Sequence, residues 1–339
     1  MRALILHGPG DLRLEDVPDP APGPGEVVLR VAVALTCATD AKMLRNGRHP
    51  ALPVPPAPFG HEAAGIVERV GAGVDRPRPG DVVVTANSAP CGECFYCRRG
   101  RPSLCEDLVY LSGAFAERLR VPARIVACNL LPVPEGVPLE LAAMVEPLAC
   151  AVRTAERCAA AEGDCVVVLG GGVQGQLLTA LLAGRGCRVT LCDPHPERRE
   201  RALRFGADAV AAAPRDPAAA ARLRRATPGG RGADVVIEAV GRPEAWEAAV
   251  ALARPGGEIV FHGGCAPGTA VSLPTYRLHY EELRLVGSYH HTPDAVRAAL
   301  AFIARGAAPL GELVGAPIGL ADVARVLGER GPKRPVVPD

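Results

Sequence analysis

The stretch Cys165-Val166-Val167-Val168-Leu169-Gly170-Gly171-Gly172-Val173-Gln174-Gly175 decides the reading of this 339-residue chain. Its five apolar residues read as a buried strand, and the glycines punctuate it before a helical stretch that runs to about Ala183. The run 170–175 satisfies G-x-G-x-x-G. Arg188-Val189-Thr190-Leu191-Cys192 follows as a second strand, and Asp193 ends it eighteen residues after Gly175. Strand, glycine turn, helix and a second strand closed by an acid form the pattern of a dinucleotide site. Gly170 and Gly172 let the backbone turn and approach a pyrophosphate, and Val173 and Gln174 open the helix whose N-terminus stabilises it. Gly175 allows close packing of helix on strand. Asp193 would accept from the adenosine ribose and repel a 2′-phosphate, which favours NAD over NADP. Arg198 and Arg199, one turn on, would soften that repulsion.

Outward from this stretch the alternation continues. A charged helix is expected at Pro196–Phe205, a strand at Asp234–Glu238, a helix at Pro243–Arg254 and a strand at Glu258–Phe261. This spacing specifies an α/β fold with a doubly wound parallel sheet. Two further helical segments, Asp294–Arg305 and Leu320–Glu329, follow Gly287. Before residue 150 the texture differs. Short β-like runs at 27–33, 64–70 and 82–84 lie between Pro- and Gly-rich turns, as in a β-barrel or sandwich.

Composition narrows the function classes. The chain is 48% hydrophobic and 22% charged, and 38 basic against 37 acidic side chains leave a formal charge of +1. That is globular composition, with no field to draw nucleic acid or anionic lipid. Aromatics at 4% argue against base-stacking platforms. The N-terminal sequence breaks too early for a signal peptide, and no stretch reads as membrane-spanning, so a soluble cytoplasmic protein is expected. Basic positions are lopsided: 36 are Arg and only two, Lys42 and Lys333, are Lys.

Twelve cysteines without an export signal point to metal or core thiols rather than disulfides. Four of them form Cys91-x2-Cys94-x2-Cys97-x7-Cys105. Four thiolates at this spacing can close a tetrahedral zinc site with no open position, which makes it structural. Arg98, Arg99 and Arg101 among them raise a nucleic-acid knuckle, but one basic cluster in a neutral chain reads as a solvated loop. A second set is dispersed: Cys37, the pair His61-Glu62, and Glu146. One thiolate, one imidazole and one carboxylate would leave a fourth zinc position open, as catalysis requires. By spacing alone each is a weak signal, since a lone cysteine is usually core packing and a lone His–Glu is usually a surface pair.

These residues carry a resemblance. Gly60-His61-Glu62-x2-Gly65-x-Val67-x2-Val70-Gly71-x-Gly73-Val74-x5-Gly80-Asp81-x-Val83 resembles the zinc signature of the medium-chain alcohol dehydrogenases. Cys37-x-Thr39-Asp40, the four-cysteine lobe, Glu146-Pro147-Leu148 and the glycine turn fall in that family's order, so the likeness spans essentially the whole chain. It is closest to the sorbitol and threonine dehydrogenase branch. Thr275-Tyr276-Arg277-Leu278-His279-Tyr280 and His290-His291-Thr292-Pro293 are similar to a subset acting on polyols and aminocyclitols such as 2-deoxy-scyllo-inosamine.

The resemblance implies a GroES-like β-barrel catalytic domain over 1–150, with the structural zinc lobe at about 88–108. It implies a Rossmann domain binding NAD over 151–287 and a segment 288–339 that returns to the catalytic domain. Two zinc ions per chain follow. Cys37, His61 and Glu146 match ligands of the catalytic zinc, and Glu62 matches a residue that is a ligand in some members and stands behind the ligands in others. Thr39 matches the hydroxyl that takes the substrate's proton, and Asp40 matches a position that orients His61. Lys42 stands where relatives often have a relay histidine, so it would pass on that proton or contact substrate. His49, His290 and His291 are further candidates for substrate contact. The expected reaction is hydride transfer from a secondary alcohol (a polyol, amino alcohol or cyclitol) to NAD, in a homodimer or homotetramer. A zinc-free quinone or enoyl reductase and a non-enzymatic NAD-binding protein are the alternatives, and both would have lost the Cys37, His61 and Glu146 set.

Overall fold

The computed structural model describes residues 1–47, 54–329 and 331–338, so His49 lies outside the described residues. The chain divides into two compact units, Met1–Ala149 with His291–Asp339, and Cys150–His290. The second break falls after His290 rather than after Gly287.

In the first unit the apolar strand Val27–Leu35 is the hub. It pairs antiparallel with Ala63–Val70, with Arg118–Val121 and with the short C-terminal strand Pro335–Val336. The last pairing sets Pro335 opposite Leu35 and Val336 opposite Ala34, so the chain's end lies beside the segment that leads into Cys37. Alternate residues of the hub bury against Leu6, Phe59, Phe115 and Ile125 in one hydrophobic core. Gly60 has φ of 89°, and a Cβ there would come within 2.7 Å of the Phe115 ring. Only glycine adopts that backbone conformation so close to the ring, just before His61.

The second unit is a six-stranded parallel sheet. Its strands are β1 (Cys165–Leu169), β2 (Arg188–Cys192), β3 (Ala209–Ala211), β4 (Ala233–Glu238), β5 (Ala253–Phe261) and β6 (Arg284–Gly287), in the spatial order β3-β2-β1-β4-β5-β6. Every residue of β1 is buried, as a central parallel strand requires. The glycine turn leads into helix Val173–Ala183. Trp246, the chain's one tryptophan, stacks 3.9 Å from Phe261 and donates to the Gly263 carbonyl.

Three local expectations are corrected. Strand β5 begins at Ala253, so the preceding helix is Pro243–Leu252 and stops short of Arg254. The expected helix Leu320–Glu329 is a 3-10 turn, Leu320–Asp322, followed by one α-turn, Val323–Val326, with Gly328 just beyond. Strand β3 and helix Pro217–Ala226 were not expected, because Ala-rich segments carry no strand signature and little periodicity.

A Cβ at Gly175 would lie 1.7 Å from the Gly170 carbonyl oxygen, a clash of backbone with backbone. Gly175→Ala should therefore destabilise the second unit by about 2–3 kcal/mol. Denaturant unfolding followed by Trp246 fluorescence reads this unit directly, and an unchanged midpoint would contradict the packing described.

Candidate catalytic and dinucleotide sites

Cys37 is the N-cap of helix Ala38–Asn46. Its sulfur accepts from Thr39 N at 3.4 Å, and its own N–H donates to Asp40 Oδ2 at 2.9 Å. This reciprocal capping fixes the thiol at the positive end of a helix, where a thiolate is favoured. Asp40 is buried, and its other oxygen, Oδ1, lies 2.9 Å from His61 Nδ1. That bond holds the imidazole and leaves Nε2 facing Glu62, 3.9 Å from its Oε1. Cys37 Sγ, a ring nitrogen of His61 and a carboxylate oxygen of Glu62 all fall within 4.8 Å of one another.

The group that completes this cluster was not anticipated. Lys333 is buried, and its Nζ donates to both Glu62 oxygens at 2.7 Å and to the Thr36 carbonyl at 3.0 Å. Strand Pro335–Val336 carries it there, helped by Arg334, whose N–H donates to Thr36 Oγ1 and whose carbonyl accepts from Thr36 N. Burial pushes the Cys37 thiol up, but the Lys333 charge and a hydrogen bond with His61 outweigh it and bring it to about 7. Burial pushes the His61 imidazole down, and Asp40 more than reverses this, so it stands well above its ordinary value. Burial drives the Glu62 carboxyl well above the usual range, against the pull of Lys333.

Glu146 is buried in the first turn of helix Val145–Arg157 and stands outside that triplet, though its charge acts on both Glu62 and Lys333. Thr39 is half-buried beside Cys37. Lys42 lies on the exposed face of helix Ala38–Asn46, opposite to Asp40 and Met43, and makes no hydrogen bond or ion pair among the described residues. His291 is buried with Nε2 at 2.9 Å from Asn87 Oδ1. The scarcity of lysine was the available signal, but nearness in sequence favoured Lys42 over Lys333.

The four-cysteine lobe also closes. The sulfurs of Cys91 and Cys105 are 3.4 Å apart, those of Cys94 and Cys105 3.9 Å and those of Cys91 and Cys97 4.0 Å. Zinc–sulfur bonds of about 2.3 Å at tetrahedral angles place sulfurs about 3.8 Å apart, so the lobe fits zinc. Backbone N–H groups of Glu106 and Cys97 bring the Cys94 thiol down to about 6, whereas burial pushes Cys97 up to about 12.

In the second unit Asp193 is buried at the end of β2. Its Oδ2 accepts from Gly171 N at 2.7 Å and its Oδ1 from His195 N at 2.8 Å. Each oxygen keeps acceptor capacity for a ribose hydroxyl. Arg198 Nη1 stands 3.6 Å from Oδ2, whereas Arg199 Nη1 is spent on the carbonyls of Asp193 and Pro194. Gly172 caps helix Val173–Ala183 without any side-chain hydrogen bond, so its first N–H groups remain available to an anion, as a bound pyrophosphate requires.

A glycine turn on a parallel sheet, joined in one chain to a cluster of a half-buried thiol with a buried imidazole and carboxylate, defines an oxidoreductase of the dehydrogenase class. Comparison with known proteins gives the family. Residues 23–135 match an alcohol dehydrogenase GroES-like domain and residues 173–305 a zinc-binding dehydrogenase domain. A 2-dehydro-3-deoxy-L-galactonate 5-dehydrogenase of Pseudoalteromonas atlantica is 32% identical, covering 89% of this chain and 87% of its own. An erythritol/L-threitol dehydrogenase of Mycolicibacterium smegmatis is 32% identical over 92% of this chain and 89% of its own. The crystal structure of a zinc-binding dehydrogenase from Sinorhizobium meliloti, bound to NADP, superposes with a TM-score of 0.89 at 30% identity and covers 99% of each chain. The chain belongs to the zinc-binding alcohol dehydrogenase family, and a small-molecule alcohol is its substrate class.

Breaking the buried pair by Lys333→Met leaves a carboxylate without its partner, which should cost the first unit about 3–5 kcal/mol. Lys333→Met combined with Glu62→Gln should recover part of that loss. Hydrogen exchange at the Leu35 and Thr36 amides is the measurement. A loss under about 1 kcal/mol, the scale of an exposed pair, would show that the pair is not the tie described.

Proposed function

We propose that this protein is an NAD-dependent zinc dehydrogenase that oxidises a secondary alcohol of a polyol, sugar acid, amino alcohol or cyclitol. The observation that carries this reading is the meeting of Cys37, His61 and Glu62 within 4.8 Å, with His61 oriented by Asp40. Cys37, His61 and Glu146 are the donors for a catalytic zinc, a thiolate, imidazole and carboxylate set suited to that ion. Cys91, Cys94, Cys97 and Cys105 are the donors for a structural one. When bound, zinc acidifies the substrate's hydroxyl and the nicotinamide takes the hydride. The chain's own residues do the rest. Asp40 fixes the ring of His61, and Lys333 neutralises Glu62 so that it stands behind the ligands. The Thr39 hydroxyl takes the proton lost by the substrate and passes it towards solvent.

The two relatives named for sugar-acid and tetritol substrates support the polyhydroxy class. Asp193 supports NAD, although the Sinorhizobium protein binds NADP. Lys42 has no part in this reading. Assembly as a homodimer or homotetramer is supported by β6, which ends the parallel sheet with one edge unpaired among the described strands. A cytoplasmic setting suits two thiol clusters that must stay reduced. Among the described residues no helix is long and apolar enough to cross a membrane.

Elemental analysis should give two zinc ions per chain. Cys97→Ser should lose one and destabilise the lobe, which has little core of its own. His61→Ala should keep the fold and abolish NADH formation in a spectrophotometric screen of polyols, amino alcohols and cyclitols. One zinc or none in the parent protein would refute the catalytic site.

A carboxylate that faces the ribose hydroxyls should make NADP bind at least about tenfold more weakly than NAD, about 1.4 kcal/mol. Asp193→Ser should narrow that gap with help from Arg198, whose guanidinium is the nearer of the two. Equal use of both cofactors by the parent enzyme would mean that the arginine outweighs the carboxylate.

A further inference from the structure

Strands β5 and β6 end at Phe261 and Gly287, and the residues that follow them close, His262 and Ser288, converge on one hydroxyl. Thr154 Oγ1 lies 2.7 Å from His262 Nδ1, 2.9 Å from Ser288 Oγ and 3.1 Å from the Cys150 carbonyl oxygen. A carbonyl only accepts, so the single Thr154 proton goes to Cys150. His262 Nδ1 and Ser288 Oγ must then donate to the two Thr154 lone pairs. This polarity fixes the histidine as its Nδ1–H tautomer and leaves Nε2 a bare acceptor. Among the described residues no hydrogen-bond donor reaches Nε2. The reverse tautomer would forfeit the Thr154–Cys150 bond.

The ring is also fixed in place. His262 N and Gly263 N both donate to the Glu238 carbonyl at 2.9 Å, which pins the turn after β5 to the end of β4. Burial pushes the His262 imidazole down to about 4, so it is neutral near pH 7.

Sheet order says what such an acceptor faces. Ligands of doubly wound sheets lie across the carboxyl ends of the strands. Asp193 at the end of β2 takes the adenosine side, and the glycine turn after β1 takes the pyrophosphate. The nicotinamide half then lies over β4 and β5. His262 stands three strand spacings from Asp193, about 14 Å.

We propose that His262 Nε2 accepts a hydrogen bond from the carboxamide N–H of the nicotinamide, with Thr154 and Ser288 holding the tautomer. The inference rests on the dinucleotide reading above. An acceptor selects the NH2 of the carboxamide over its carbonyl oxygen. It thereby sets which way the carboxamide points and, through it, the orientation of the ring. His262 is a positioning residue for the cofactor, and Thr154 acts through it.

The test is binding by the full chain, measured by calorimetry, for three ligands. These are NADH, the reduced 3-acetylpyridine analogue, in which a methyl replaces the NH2, and ADP-ribose, which lacks the nicotinamide. The parent protein should bind NADH about tenfold more tightly than the analogue, the scale of one hydrogen bond. His262→Phe should weaken NADH about tenfold, leave the analogue and ADP-ribose within about twofold, and so erase the discrimination. His262→Gln, which keeps an acceptor, should restore most of it, and Thr154→Val should lose part of it. Equal affinity of the parent for NADH and the analogue overturns the proposal. So does a His262→Phe variant that weakens ADP-ribose as much as NADH, or one that weakens neither. If neither NADH nor ADP-ribose binds the parent, it is the dinucleotide reading that fails, and the two failures are told apart.

Discussion

A buried ammonium holds the first unit's chemistry in place. Lys333 reaches Glu62 and Thr36 from the last strand of the chain, and Thr36 is the residue before Cys37. Three donors on one compact nitrogen meet three acceptors: two carboxylate oxygens and one carbonyl. A guanidinium would bring five donors in a planar fork and leave two of them buried without partners. This accounts for a lysine at this position in a chain that otherwise uses arginine almost everywhere. The same charge lowers the Cys37 thiol and neutralises Glu62, so the C-terminal segment contributes to the site electrostatically as well as by pairing.

The second unit depends on a different constraint, the carboxyl edge of its parallel sheet. The groups we propose to bear on a dinucleotide follow the ends of strands: Gly170 after β1, Asp193 after β2, and His262 after β5. The Asp193 carboxylate is aimed by bonds to neighbouring backbone, and the His262 ring by the Thr154 hydroxyl. Asp193 is held by the N–H groups of Gly171 and His195, and His262 by the turn pinned to Glu238. Backbone amides cost no side-chain entropy to place, which is one reason that the loops of this sheet can be short and still precise.

Legibility in the sequence followed the range of each signal. The glycine turn and the four-cysteine run are local, and their spacing alone announced them. The second cluster spans residues 37 to 333, and only the resemblance joined Cys37, His61 and Glu146. Lys333 escaped because its role depends on the pairing of Pro335 with Leu35, which neither periodicity nor spacing displays. Lys42 drew attention by sitting five residues from Cys37, yet helical geometry turns it outward, since Asp40 and Met43 occupy the inward face. Strand β3 and the helix after it were illegible because alanine favours neither pattern strongly enough on its own. His262 looked like one more residue before a glycine pair, and its meaning came from Thr154, more than a hundred residues away.

The two thiol clusters of the first unit differ in what stabilises their anions, and that difference sorts their roles. In the lobe the balance is set by nearby groups: backbone N–H groups of the lobe itself pull Cys94 down to about 6, and burial pushes Cys97 up to about 12. At Cys37 the opposing terms are burial, which disfavours the thiolate, and the charge of Lys333, which comes from the far end of the sequence. A locally sustained site suits a staple for a segment with little core. A site poised by distant groups is assembled only when the whole unit has folded, and small shifts in those groups retune it. Reactivity belongs with the second kind of site, since a thiolate, an imidazole and two carboxylates in a buried setting respond strongly to any added charge.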